Sequence, residues 1–338
     1  MQQSAAFDRY LPDFERALRS ELSDQTLPLY DMARYHLGWQ DEQGRPVEAH
    51  PGKTLRPMLC LLACEAAGGD YRRALPAAVA VELLHNFSLV HDDIQDGDRT
   101  RRGRPTVWAI WGEAQAINAG DLLWAIANGV LARAEGWPSE TIAAGLAALN
   151  QAAVRMIEGQ YMDLAAESSG EVSVEGYQEM TVRKTGALFG CALELGALAA
   201  GASGDMGEAF RRSGERLGLA FQLHDDILGV WGQSEATGKP VGADVARRKK
   251  TLLVAHALEH ADAAGRKLLE ESYFGEKGSL AVDDVRAAME RAGSREFGEG
   301  LAEDLYASAF GELDELALDA DAYAELKGLA RGLLRRDR

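Results

Sequence analysis

Three observations predict an all-α protein. Apolar residues recur at helical spacing almost throughout, alternating strand patterns are missing, and gaps rich in glycine and proline separate the periodic stretches. In 14–22, Phe14, Leu18 and Leu22 recur every four positions with Arg and Glu between them. The stretches 55–67, 75–94, 116–134, 140–164, 174–200, 206–230 and 251–261, and the tail from 301, read as further helices. Breaks fall at 68–69, 97–105, 136–138, 168–170, 201–204, 232–242 and 275–278. Two stretches, 75–94 and 209–228, are apolar on more than one face, which predicts central, buried helices. No composition shift or long linker divides the chain, so a single all-α domain over 1–338 is expected, with amphipathic helices outside.

Composition narrows the function. The 338 residues carry 36 Lys and Arg against 53 Asp and Glu, a net charge of −17. Such a chain does not coat nucleic acid or an anionic membrane non-specifically, and any anionic ligand needs local cations. The most apolar stretch, 74–90, contains Pro76, Glu82, His85 and Asn86, which argues against a membrane span. Cys60, Cys64 and Cys191 are odd in number and lack zinc spacing. Buried, reduced thiols are expected, which with the absence of a secretory signal pattern at the start points to the cytoplasm.

An internal echo carries the chemistry. One buried helix ends His91-Asp92-Asp93-Ile94-Gln95-Asp96-Gly97 and the other ends His224-Asp225-Asp226-Ile227-Leu228-Gly229. Adjacent carboxylates repel, a helix C-terminus disfavours anions, and apolar surroundings raise the cost. Asp92 and Asp96 differ by about 40° around a helix axis, so their oxygens can grip one cation. Oxygen-only ligation favours a hard ion such as Mg²⁺, shared with phosphate. A calcium loop is disfavoured because the twelve-residue pattern ending in Glu is missing. Cations cluster nearby: Lys53 and Arg56, Arg101 and Arg102, Lys184 with Thr185, then Lys239, Lys249 and Lys250 flanking Asp244. In so acidic a chain these suit a site where Mg²⁺ and Lys/Arg jointly neutralise phosphates. His85, seven residues before Asp92, is offset by only about 20° and faces the same way.

These segments resemble the trans-isoprenyl diphosphate synthase (polyprenyl synthetase) family. GKTLRP, ELLHNFSLVHDDIQD, RRGRPT, EGQYMDL, RKTG, FQLHDD, GKPVGAD and KKT occur in the family's order between Gly52 and Thr251. The resemblance implies an isoprenoid synthase helical bundle around a deep central cavity, usually a homodimer, joining isopentenyl diphosphate head to tail to an allylic diphosphate with Mg²⁺. It implies that Asp92 and Asp96 bind two Mg²⁺ ions and Asp225 a third, supported by Asp93 and Asp226. Arg101, Lys184 and Lys239 would hold the allylic diphosphate, with Thr185, Gln222 and Lys249 nearby. Lys53, Arg56, His85 and Arg102 would hold isopentenyl diphosphate, and Gln160 and Asp163 would line the cavity.

Two departures from the pattern matter. Gly229 stands where many members have a third Asp, which removes one i+4 pair and predicts retained activity with weaker Mg²⁺ affinity. KKTLLVAHA lacks a proline that many members carry. Phe87 followed by the small Ser88, with no insertion in DDIQD, resembles synthases making geranylgeranyl (C20) diphosphate. Farnesyl or longer products and a terpene cyclase on the same fold are the alternatives. The isopentenyl set argues against a cyclase, and Asp92, Asp93 and Asp96 argue against a non-catalytic regulatory subunit.

Overall fold

A computed structural model of the chain describes residues 5–47, 54–168, 172–232, 241–275 and 281–334. Helices dominate: α1 (Ala5–Ser20), α2 (Pro28–His36), α3 (Leu55–Ala66), α4 (Leu75–Gln95), α5 (Val107–Trp111), α6 (Glu113–Ala132), α7 (Ser139–Ser168), α8 (Val174–Thr181), α9 (Ala187–Ala200) and α10 (Gly204–Trp231). They continue with α11 (Ala243–Ala246), α12 (Leu252–His260), α13 (Ala263–Phe274), α14 (Val282–Arg291), α15 (Ser294–Gly311) and α16 (Ala320–Leu333). Several starts are set by side chains that accept otherwise orphaned N–H groups: Ser173 from Gly176, Ser203 from Met206, Asp262 from Gly265 and Asp319 from Ala322.

The two helices expected to be central are so. α4 packs on α6 and α3, and α10 on α9 and α15. Ala77, Ala78, Ala80, Val81, Leu83 and Leu84 of α4 are all fully or almost fully buried. By length and composition Tyr71–Gln95 is apolar enough to cross a membrane, but 61% of its most apolar window is buried inside the protein. Its apolar surface is therefore taken up by neighbouring helices. α9 and α10 meet backbone to backbone: a Cβ on Gly214 would lie 2.6 Å from the Cα of Gly190. A second apolar cluster gathers Leu223, Ile227 and Val230 of α10 with Leu252 and Leu253 of α12, Leu269 of α13 and Val285 and Met289 of α14. All three cysteines are free and buried.

The structure departs from the sequence reading in a few places. The stretch 174–200 is not one helix: a wide π-turn, Val182–Gly186, separates α8 from α9. The apolar pattern runs on through the turn, so periodicity could not reveal it. The gap at 97–105 contains a two-residue antiparallel hairpin, β1 (Thr100–Arg101) with β2 (Arg104–Pro105). The short α2, α5 and α11, and the amphipathic α13 and α14, were not among the expected helices. α2 does carry the signals: Pro28 at its start, Asp31 in its first turn and Arg34 and His36 in its last.

Packing of α9 on α10 also leaves a titratable strain. Burial pushes the Glu194 carboxyl up to about 7, Arg211 opposing and Glu215 and Glu208 reinforcing. A raised carboxyl destabilises the ionised fold, so stability is highest below the unfolded value near 4.5 and falls as pH rises through about 7. The full effect is on the order of 3 kcal/mol. Glu194→Gln is expected to melt higher than wild type at pH 8 and equally at pH 4.5. Equal melting at both pH values in calorimetry would contradict this.

Candidate active site

α4 ends at Gln95, yet Asp96 keeps helical dihedrals and its N–H bonds the carbonyl of Asp92 at 2.8 Å. The two carboxylates therefore stay stacked one turn apart. Asp93, a residue round the helix, points elsewhere: it is 1% exposed, and both Nε and Nη2 of Arg101 lie 2.7 Å from its Oδ1. Arg101 is delivered by the hairpin, whose turn Arg102-Gly103 runs at φ 52° and 75°. Positive φ at both central residues gives the tight turn that matches strand twist. It holds Arg102 where the charges of Glu82 and Asp93 act on its guanidinium.

Burial pushes Asp92 up to about 6, Lys184 working against the shift and Asp96 with it; burial raises Asp96 as well. This is an all-oxygen pair short of positive charge, which suits a hard divalent cation. Among the described residues no group of three or more His, Cys, Asp or Glu could enclose a metal. A cation at Asp92 and Asp96 thus takes its other ligands from water or phosphate, the usual manner of Mg²⁺.

The second acidic segment divides its labour in the same way. Asp226 is fully buried and accepts from the Tyr177 hydroxyl, from Lys249 Nζ at 2.8 Å and from Gln222 Nε2 at 3.2 Å. Its oxygens are committed to the protein. Asp225 is less buried, and its charge acts on Arg56. In both echoes the first Asp is the more open and the second anchors a cation.

The π-turn joins the halves. Lys184 Nζ lies 2.5 Å from Asp163 Oδ2 on α7 and acts on Asp92 and Asp96, while Thr185 Oγ1 meets Gln222 Oε1 at 3.3 Å. Gly159 lets α7 approach this turn: a Cβ there would fall 2.3 Å from the Lys184 backbone N. Gly159→Ala is accordingly expected to cost about 1–3 kcal/mol by overpacking and to lower turnover by displacing Lys184. Urea unfolding and a turnover assay check it; wild-type values in both would show that the contact relaxes freely. Gln160, beside it, donates to Gln95 Oε1 at 2.8 Å.

A second cationic group sits deeper. Arg56 Nη1 lies 3.2 Å from His85 Nε2 and its guanidinium stacks 4.8 Å from the Phe189 ring centroid. Arg56 can only donate, so His85 accepts at Nε2 and carries its proton on Nδ1. Burial and Arg56 hold His85 well below its ordinary range, hence neutral. Burial lowers Arg56 to about 10, Glu82 and Asp225 opposing, so it remains cationic at neutral pH. Asn86 donates to both the carbonyl and Oε1 of Glu82, at 2.8 and 2.9 Å.

Phe87 packs against Trp124 of α6, centroids 5.7 Å apart, and against His91 at 4.7 Å. Ser88 lies on the Asp92 face and donates to the carbonyl of His85 at 2.8 Å. Sequence reasoning missed Tyr177, Trp124 and His36. His36 is half-buried as a residue, but its ring is desolvated enough to be pushed down to about 3, and it lies within reach of the Arg101 and Arg102 charges. Nothing local marks these three, because their partners are 49, 37 and more than 60 positions away. Lys53 and Lys239 lie outside the described residues.

Paired acidic helix ends flanked by two cation sets, on an all-α bundle, define a class of enzymes that handle diphosphates. The model of the polyprenyl synthetase family matches residues 42–292, and the chain belongs to that family: it is an isoprenyl diphosphate synthase, a prenyltransferase. A (2E,6E)-farnesyl diphosphate synthase of Mycobacterium tuberculosis is 46% identical over 270 residues, 80% of this chain and 74% of that one. A geranylgeranyl diphosphate synthase of the same organism is 41% identical over 285 residues, 84% and 80% of the two chains. The crystal structure of a polyprenyl synthetase from Streptomyces coelicolor superposes with a TM-score of 0.92 at 38% identity, covering 98% of this chain and 99% of that one. A geranylgeranyl pyrophosphate synthase from Corynebacterium glutamicum, complexed with isoprenyl diphosphate and magnesium, gives 0.82 at 28% identity, covering 99% and 100%.

Proposed function

We propose that this chain condenses isopentenyl diphosphate with an allylic diphosphate in a Mg²⁺-dependent, head-to-tail reaction and makes geranylgeranyl (C20) diphosphate. The observation that carries the reading is that two partly exposed carboxylates, Asp92 and Asp225, stand with two cation sets. One set is Lys184 with Thr185, Gln222 and Lys249 for the allylic diphosphate, to which the family resemblance adds Lys239. The other is Arg56, His85 and Arg102 for isopentenyl diphosphate, to which the family resemblance adds Lys53.

Asp92, Asp96 and Asp225 would hold three Mg²⁺ ions. When bound, these supply Lewis acidity toward the departing pyrophosphate. Lys184 and Lys249 stabilise the charge that grows on the leaving oxygens as the allylic C–O bond breaks. Arg101, locked on Asp93, adds its field from the hairpin. Arg56 and neutral His85 fix the isopentenyl diphosphate so that its double bond meets the allylic cation. The pyrophosphate set free then takes the proton, and no protein nucleophile is needed. Apolar walls built by α4 and α6 keep water from the cation.

Relatives with farnesyl and geranylgeranyl names stand at similar identity, so the C20 product rests on Phe87 backed by Trp124, with Ser88 leaving room beside it. Feeding C5, C10 and C15 allylic diphosphates with isopentenyl diphosphate and Mg²⁺, then sizing products by mass spectrometry, tests both parts. C20 is expected from all three. A C15 end product overturns the chain length, and turnover without isopentenyl diphosphate makes the protein a cyclase. Phe87→Ala is expected to lengthen the product by one or more C5 units; an unchanged product removes Phe87 from size control.

The homodimer is supported by Val154, Ile157 and Tyr161, which expose one stripe of α7 at 56%, 56% and 74%, with Ile117 of α6 at 45%. A second copy of the chain covers such a stripe, and sedimentation would show it. The three buried thiols suit a reducing cytoplasm. The whole chain, 1–338, then acts as one catalytic unit without nucleic-acid partners.

A further inference from the structure

Gly229 ends the second acidic segment one turn after Asp225, and the place its side chain would take is already filled. A Cβ built on Gly229 lies 2.2 Å from Asp244 Oδ2 and 2.5 Å from its Cγ. Positions 225 and 229 share a helix face, about 40° apart. The Asp244 carboxylate, arriving from α11, therefore sits on the Asp225 face of α10, one turn further on. That is the relation Asp96 bears to Asp92 in the first segment.

Three features show that Asp244 is placed there by construction. α11 is pinned by Val245, fully buried. Gly242, at φ 74°, turns the chain into α11. Behind it, Lys249 N–H bonds the Asp244 carbonyl at 3.0 Å. The Asp244 side chain is only 16% exposed, and Lys249 Nζ stands 3.8 Å from its Oδ2 while holding Asp226 at 2.8 Å. A separate observation marks the pocket as built for polar company: the Tyr273 hydroxyl is buried and unpartnered, and it lies close enough to Asp244 to feel its charge. Among the described residues, a carboxylate with one distant ammonium and a hydroxyl without an acceptor leave bonding capacity open on the Asp225 side.

We infer that Asp244 supplies, from a different element, the second carboxylate that the acidic segment at Asp225 lacks, so that the Mg²⁺ ion there is held by an Asp225–Asp244 pair. Gly229 is then a requirement of that arrangement, since any side chain at 229 collides with the Asp244 carboxylate. The inference rests on the proposed diphosphate chemistry and adds a metal ligand to it. It also reverses the expectation that the Gly229 departure weakens Mg²⁺ binding.

The test is a Mg²⁺ titration of the full chain with inorganic pyrophosphate present, followed by intrinsic tryptophan fluorescence, to which Trp231 at the end of α10 contributes, and by calorimetry. Asp244→Asn and Asp244→Ala are expected to raise the Mg²⁺ midpoint about tenfold, while the melting temperature without Mg²⁺ stays near wild type. Gly229→Asp combined with Asp244→Ala restores the pair on the helix and is expected to return the midpoint to within about threefold of wild type. The shape-conserving Asn variant keeps the test valid should the Ala variant fold poorly. Wild-type Mg²⁺ midpoints in both single variants overturn the inference, as does a raised midpoint that the folded double variant fails to lower. Wild-type protein showing no Mg²⁺-dependent pyrophosphate binding overturns the functional reading itself, and the inference with it.

Discussion

Asp92→Asn is expected to lower kcat/KM by about a thousandfold, roughly 4 kcal/mol of transition-state stabilisation, while the helical fold survives. Asp92 and Asp96 form an oxygen pair on which, among the described residues, the charges of Lys184 and Arg101 act, and Arg101 is already bound to Asp93. Removing one charge leaves one carboxylate to hold ions against a departing pyrophosphate. The same change relieves a buried charge: burial has moved Asp92 from 3.8 up to about 6. The ionised side chain therefore destabilises the metal-free fold above that pH, and its neutral replacement does not. Metal-free melting at pH 8 should be no lower than wild type. Radiometric condensation assays and circular dichroism decide the matter; near-wild-type turnover would remove Asp92 from the chemistry.

Lys249→Met is expected to destabilise the protein by about 3 kcal/mol, and to reduce activity with it. Its ammonium is the positive partner of Asp226, a carboxylate with no exposed surface. Among the described residues, removing that partner leaves the charge facing the Tyr177 hydroxyl and the Gln222 amide. Broken buried pairs typically cost about 3–5 kcal/mol. The low end applies because 41% of the Lys249 side chain is open to water, which screens the pair. Asp226→Asn added to Lys249→Met removes the stranded charge, and most of the lost stability should return. In urea unfolding, a double variant no better than the single would show that the pair's contribution is shape and not charge.

The two Asp-Asp steps show how far sequence reasoning reached. Their repetition on two apolar helices marked the site, and the i+4 spacing correctly stacked Asp92 on Asp96. The family resemblance cast Asp93 and Asp226 only as support for the aspartates expected to bind metal. The structure gives the physical division: Asp93 and Asp226 turn inward to Arg101 and Lys249, whose positions depend on a hairpin and on the segment after α11. Val182–Gly186 makes the same point. Its apolar pattern continues smoothly, yet the π-turn is what aims Lys184 at Asp163 and Thr185 at Gln222.

By itself the sequence determined the helical class, the two central helices, the acidic faces and the cations available to meet them. These are local properties, written in spacing along one helix. Only the tertiary structure decided which carboxylates keep some exposed surface, which cations are already paired, that Trp124 backs Phe87, and that Asp244 fills the space beside Gly229. Each of those is a contact between elements far apart in the chain, settled by how closely backbones can pack and by the need of every buried charge for a partner.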